Sequence, residues 1–192
     1  REGELKLVAA RFDLGQLAPI LAKTPVIDPG QAQVDARLDL AYHGDAIDPL
    51  HDALDFDGSF HLSGLSAFSP ALGPEPLRGL GFDARVKGRL EPKARTVRIE
   101  SATVDYSGVH AALALEASKL GRKLPAFKAH LVVKPVPCQV ALRAIPEELS
   151  PALQGFKLAG TFGGDVRVEI DPDDLEKMEL SSRIGIDGCT VL

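Results

Sequence analysis

Apolar and polar residues alternate with a period of two along most of this chain, the pattern of strands with one dry face and one wet face. In 34–42 the apolar set is Val34, Ala36, Leu38, Leu40 and Tyr42, with Asp35, Arg37, Asp39 and Ala41 between them. In 82–90 it is Phe82, Ala84, Val86, Gly88 and Leu90, against Asp83, Arg85, Lys87 and Arg89. The segment 127–133 repeats the pattern with Phe127, Ala129, Leu131 and Val133. The longest run, 156–170, carries Phe156, Leu158, Gly160, Phe162, Gly164, Val166, Val168 and Ile170 on one phase. Its Gly160, Gly163 and Gly164 predict bending or bulging. Shorter copies occupy 4–9, 56–64, 109–117 and 178–186.

Between 96 and 106 the phase slips. Val97 and Ile99 sit on odd positions, while Ala102, Val104 and Tyr106 sit on even ones. A β-bulge near Glu100 or Ser101 would reset the register. Ser107-Gly108 and Glu91-Pro92-Lys93-Ala94 read as turns, which makes 82–117 a three-stranded antiparallel meander.

Helical signals are few. Asp13 reads as the N-cap of a helix over 14–23, with Leu14, Leu17, Ala18 and Leu21 on one stripe. Pro137 to Ala144 predicts a short helix turning Cys138, Val140, Ala141 and Ile145 inward. Pro146-Glu147-Glu148-Leu149 starts another, with Leu149 and Leu153 as its apolar side. Asp171 to Leu175 reads as one helical turn, and 65–80, with three prolines, reads as a loop. The expectation is one domain over 1–192: mainly β, a curved antiparallel sheet with two or three short helices. A doubly wound α/β fold is disfavoured, because the strands follow one another without intervening long helices.

Composition narrows the chemistry. The chain has no Trp, two Tyr, one Met, 18 Gly and 14 Pro, so its apolar face is aliphatic apart from eight Phe. A net charge of −5 and a pI near 5.5 argue against nucleic acid, which requires a basic stripe, and they offer no polybasic attraction to anionic lipid. No apolar stretch approaches the ~20 residues of a spanning helix. The chain begins at Arg1 and stops at Thr190-Val191-Leu192 within an apolar run, so both ends read as cuts in a longer protein.

No constellation of side chains assembles an active site, and no cofactor or metal site is expected. His61, His110 and His130 fall on the polar phase of three strands and read as surface residues, without an HxH or HxxxH pair. His43 and His51 flank the polar connection 44–48. Asp52, Asp55, Asp57 and Gly58 fail the calcium-loop pattern, because Ala53 stands where its first Asp belongs. Asp171, Asp173 and Asp174 read as capping acids. The glycines of 155–164 form neither a P-loop nor a dinucleotide fingerprint, and no nucleophile-elbow motif occurs.

Two features remain. Cys138 and Cys189 lie too far apart in sequence for a thiolate metal motif, which leaves a disulfide or two buried thiols. Both flank the last sheet segment, so they are expected to approach each other. The other feature is the apolar face, built of small and branched residues: Ala36, Leu38, Leu40, Ala84, Val86, Ala111, Leu113, Leu115, Val166, Val168 and Ile170. It is either an ordinary core or a groove in which Leu38, Leu40, Val86, Leu113, Leu115, Val166, Val168 and Ile170 face lipid. Alternation suits both.

A resemblance adds context. Asp13 to Leu21, Pro25, the strand 34–42, Gly44-Asp45, and then Asp57-Gly58-Ser59-Phe60-His61-Leu62-Ser63-Gly64-Leu65 together resemble the AsmA-like periplasmic proteins of Gram-negative bacteria. Those are repetitive β-sheet proteins anchored in the inner membrane, and related members form lipid-carrying grooves. Val136-Pro137-Cys138-Gln139 through Ile145-Pro146, then Leu153 to Phe162, then Gly188-Cys189-Thr190-Val191, are similar to a segment ahead of the peptidoglycan glycosyltransferase domain in certain bacterial transglycosylases of the penicillin-binding-protein type. The resemblance implies a non-catalytic periplasmic module of a membrane-anchored envelope protein, with a bridged Cys138–Cys189 pair and a catalytic domain, if any, beyond Leu192. It also implies lipid or lipid-linked glycan as the partner. Three classes stay open: a positioning domain of a cell-wall enzyme, a lipid-binding or lipid-transfer groove, and an enzyme in its own right.

Overall fold

The computed structural model describes residues 2–17, 27–28, 32–43, 53–67, 76–122, 124–149, 151–153, 155–174 and 178–192. Their strands are β1 (Glu2–Asp13), β2 (Ile27–Asp28), β3 (Gln33–His43), β4 (Ala53–Ala67), β5 (Leu77–Glu91), β6 (Thr96–Tyr106), β7 (Val109–Ser118), β8 (Ala126–Pro137), β9 (Leu158–Ile170) and β10 (Glu179–Val191). The sheet runs β1-β3-β4-β5-β6-β7-β8-β9-β10, every pairing is antiparallel, and β2 adds to the end of β4. Apart from β2, each strand pairs with its successor, so the sheet is one long meander. It does not close: β1 and β10 are its two edges.

Residues directly opposite in an antiparallel pair share a face, and the register therefore carries the alternation from strand to strand. Leu38 stands beside Gly58, Gly58 beside Val86, Val86 beside Ala102, Ala102 beside Leu113, Leu113 beside Leu131, and Leu131 beside Val166. A second row runs Leu40, Phe56, Gly88, Ile99, Leu115, Ala129, Val168 and Leu180. One apolar face thus crosses the whole sheet.

Bulges keep that face in phase. In β6 the register shifts between Ile99 and Ala102, as the phase slip predicts. The turns also fall where expected. Ser107 and Gly108 both have positive φ (49° and 83°), the mark of a type I′ hairpin. The other is 92–95, closed by Arg95 N–H to the Pro92 carbonyl at 3.0 Å.

Several expectations need correction. The 65–80 segment is not all loop: β4 continues to Ala67 and β5 begins at Leu77, with 68–75 outside the described residues. The slip from Leu62 to Leu65 is another bulge, with Gly64 at φ 72°. After Asp13 comes a 3-10 turn, Leu14–Leu17, where an α-helix to 23 was expected. Asp13 still acts as a cap, accepting the Gly15 N–H at 2.8 Å, and 18–23 lies outside the described residues. The 44–48 connection with its flanking His51, and Asp52, lie there too. One α-helix forms among the described residues, α1 (Cys138–Ala144), followed by 3-10 turns at Glu147–Leu149 and Pro151–Leu153. Leu149 and Leu153 are 37 % and 39 % exposed, and Ile145, 42 % exposed, leaves the helix in extended backbone just before Pro146. Asp171–Asp174 is a turn, not a helix. The strand expected from 156 starts at Leu158, leaving Phe156 exposed.

One closely packed cluster lies at a rim of the apolar face, while Ala117 and Ala126 are buried at the opposite rim. Ala32, Val34 and Leu62 are buried together, with Leu14, Phe60, Leu65 and Phe82 against them. Leu14 N–H donates to the Ala32 carbonyl at 2.9 Å and holds the 3-10 turn over that cluster. Further along the same rim α1 lies on β7, β8 and β9 with Cys138 buried.

Candidate functional site

All eight residues expected to face lipid lie on the apolar face, and all are half-buried. Among the described residues no large side chain is fully buried. Val104 and Leu131, in the interior of the sheet, remain 39 % and 38 % exposed. Towards β10 the face opens further, with Leu180, Ile184 and Ile186 exposed. The floor is shallow because small residues recur in it: Gly58, Gly88, Gly164, Ala84, Ala102, Ala111 and Ala129.

Where the face meets α1 it forms an open cavity of ≈ 540 Å³. Val104, Tyr106, Val109 and Ala111 line it from β6 and β7, Leu158 and Phe162 from β9, and Ala141, Leu142, Ala144 and Ile145 from the helix side. Cys138 and Cys189 complete the lining. They are joined by a disulfide with Cα atoms 5.9 Å apart, inside the bridging range. The Gln139 side chain accepts the Leu158 N–H at 2.7 Å and donates to the Phe156 carbonyl at 3.4 Å, fixing α1 to the start of β9. This cavity size suits a small organic ligand, and its lining suits an apolar one. It was missed in the sequence because its walls come from the ends of strands distant along the chain.

The opposite face is a lattice of ion pairs. Arg98 meets Glu116 at 3.0 Å, Lys128 meets Glu169 at 2.6 Å, and Arg37 meets Asp39 at 2.8 Å. The three strand histidines do not converge. Each takes an aspartate on a neighbouring strand: His61 with Asp83 at 2.8 Å, His130 with Asp165 at 3.0 Å, and His110 with Asp105. Asp55 and Asp57 point to this face from β4, as alternation requires. Among the described residues no group of three or more His, Cys, Asp or Glu side chains is placed to hold a metal.

One electrostatic cluster ties two loops together. Lys119 Nζ lies 2.6 Å from Asp171 Oδ1 and 2.9 Å from Asp173 Oδ2, and Arg122 reaches Asp173 at 2.7 Å. Hydrogen bonds to Asp171 and Asp173 raise the Lys119 pKa, and the bond from Lys119 holds Asp173 below its usual value. Asp171 caps its turn, accepting the Asp173 N–H at 3.0 Å, and Asp171 and Asp173 also form a clip between the β7–β8 and β9–β10 connections.

The class these features define is an open antiparallel sheet with one continuous apolar face and one ion-paired face. No protein family, curated protein or solved structure matches the chain.

Proposed function

We propose that the chain is a non-catalytic module that holds acyl chains of membrane lipid, or of a lipid-linked glycan, against its apolar face. The observation carrying this reading is the continuous apolar face, which stays half-open in its middle and leads into the cavity beneath α1. A lipid chain lying along the face would gain about 0.8 kcal/mol per buried methylene, so ten methylenes offset a large share of the ordering cost of binding. Small floor residues leave room for such a chain, and no charged headgroup site is required.

The cellular setting in this reading is the periplasm, tethered through a membrane-anchored parent chain. The Cys138–Cys189 disulfide supports an oxidising compartment. The AsmA-like resemblance supports both the setting and the ligand class.

A second reading is a positioning domain of an envelope enzyme, such as a peptidoglycan glycosyltransferase. The Lys119–Asp171–Asp173 clip and the disulfide favour it, because both stiffen the β7–β10 half of the sheet, as a spacer would require. Native mass spectrometry after exposure to phospholipid vesicles separates the two. The lipid reading expects discrete adducts of phospholipid mass at low stoichiometry. A lipid-free mass at every lipid concentration would leave the positioning role alone.

A further inference from the structure

The cavity beneath α1 stands at the end of the path that an acyl chain would take along the strands. Val104 on β6 lies opposite Ala111 on β7, and both line the cavity. Two residues along the same strands, on the same face, come Ala102 and Leu113, and Leu113 continues that row to Leu131 and Val166. Cavity and mid-face are therefore one continuous surface.

The helix closes this path firmly. It lies over β7, β8 and β9 and is held from three directions. Cys138 is bonded to Cys189 on β10, and Gln139 accepts the Leu158 N–H at the start of β9 at 2.7 Å. Val140 packs on the β6–β7 turn, where a Cβ on Gly108 would lie 3.1 Å from its Cγ1. A helix of seven residues is marginal by itself, so these anchors fix its position. Fastened in this way, α1 acts as a wall rather than a lid. The cavity lining holds no charged side chain. A charged headgroup would lose its hydration there without gaining a partner, whereas a hydrocarbon end would not.

We propose that the cavity receives the methyl end of a bound acyl chain, and that α1 stops the chain and so selects its length. This rests on the acyl-binding reading and adds a polarity to it: tail end beneath α1, headgroup away from it. Ala141 and Leu142 both line the cavity from the helix, one short and one long. Enlarging Ala141 shortens the space for the chain end, and trimming Leu142 deepens it.

The test is native mass spectrometry of the 192-residue chain after exposure to mixed vesicles. The vesicles hold equal parts of phosphatidylcholines with lauroyl, myristoyl, palmitoyl and stearoyl chains. Each methylene kept out of the cavity lowers retention about fourfold. Ala141→Phe should therefore lower the ratio of stearoyl to lauroyl adducts about fourfold or more relative to wild type. Leu142→Ala should raise that ratio. It is a truncation and cannot overpack, so it tests the stop even if Ala141→Phe displaces the helix. Arg143→Ala, on the same helix but outside the cavity lining, should keep the wild-type ratio. Adducts with one chain-length profile in the wild type and both cavity variants would overturn the stop and leave the acyl-binding reading standing. Wild type without adducts would overturn both.

Discussion

Cys138, the first residue of α1, is bonded to Cys189 near the end of β10, so one covalent link joins the wall of the apolar cavity to the edge of the sheet. The bond closes a sequence separation of 51 residues. In the chain-entropy account a loop of that size stabilises the fold by about 4 kcal/mol. Replacing Cys138 and Cys189 together by Ser should lower the denaturant midpoint accordingly. Wild type under reductant should fall to the same midpoint. An unchanged midpoint in both would show that the bridge contributes nothing to stability.

Gly88 has no room for a side chain. A Cβ there would strike the Arg98 carbonyl and lie 2.5 Å from Phe56 Cζ. Gly88→Ala should destabilise by about 1–3 kcal/mol, the usual cost of overpacking. Gly164, on the same face, has its nearest neighbour for a Cβ at 3.9 Å, the Arg183 carbonyl oxygen. Gly164→Ala should be neutral or mildly stabilising, since Ala loses less backbone freedom. Urea unfolding of the two variants measures the contrast.

The clip at Lys119 should weaken at both ends of the pH scale. The Asp173 pKa is held below 3.8, so its contribution is present above that value and is lost as pH falls through the folded pKa. The Lys119 pKa is raised above 10.5, so its contribution is present below 10.5 and is lost as pH rises through the folded pKa. Protection factors in 119–122 and 171–174, taken relative to the intrinsic exchange rate at each pH, should therefore fall at acid pH. Lys119→Ala should abolish that acid dependence while leaving β5 and β6 unaffected. Unchanged exchange in the variant would show that the clip does not order the loops.

Leu131 offers a direct way to spoil the apolar face without unfolding it. It is 38 % exposed at the middle of β8, so Leu131→Lys should cost little stability while setting a charge where an acyl chain would lie. Lipid adducts in native mass spectra should disappear. Thr103→Lys, on the opposite face, should retain them.

The sheet was legible because a period of two survives any change of neighbour, and antiparallel register transmits it. The bulge at Glu100–Ser101 was read from Val97, Ile99 and Ala102 alone. The same slip at Leu62 and Leu65 went unrecognised because the prolines downstream suggested a loop. It was also missed between Val133 and Val136, where the register shifts again. Leu14–Leu17 reads as α-helical in the sequence because the spacing of Leu14 and Leu17 fits a 3-10 turn as well as an α-helix. In the site, the eight positions on the apolar face followed from alternation. The cavity did not, since it needs Tyr106, Phe162 and Ala141 in one place, and nothing local in the sequence couples them.

Paramagnetic relaxation of methyl signals tests the central claim most directly. A phospholipid carrying a nitroxide on its acyl chain is added to the methyl-labelled protein. The acyl-binding account predicts strong, saturable broadening of Leu113, Leu131 and Val166, clearly exceeding that of the Thr103 methyl on the opposite face. Equal broadening on both faces, or none on the apolar one, would contradict it.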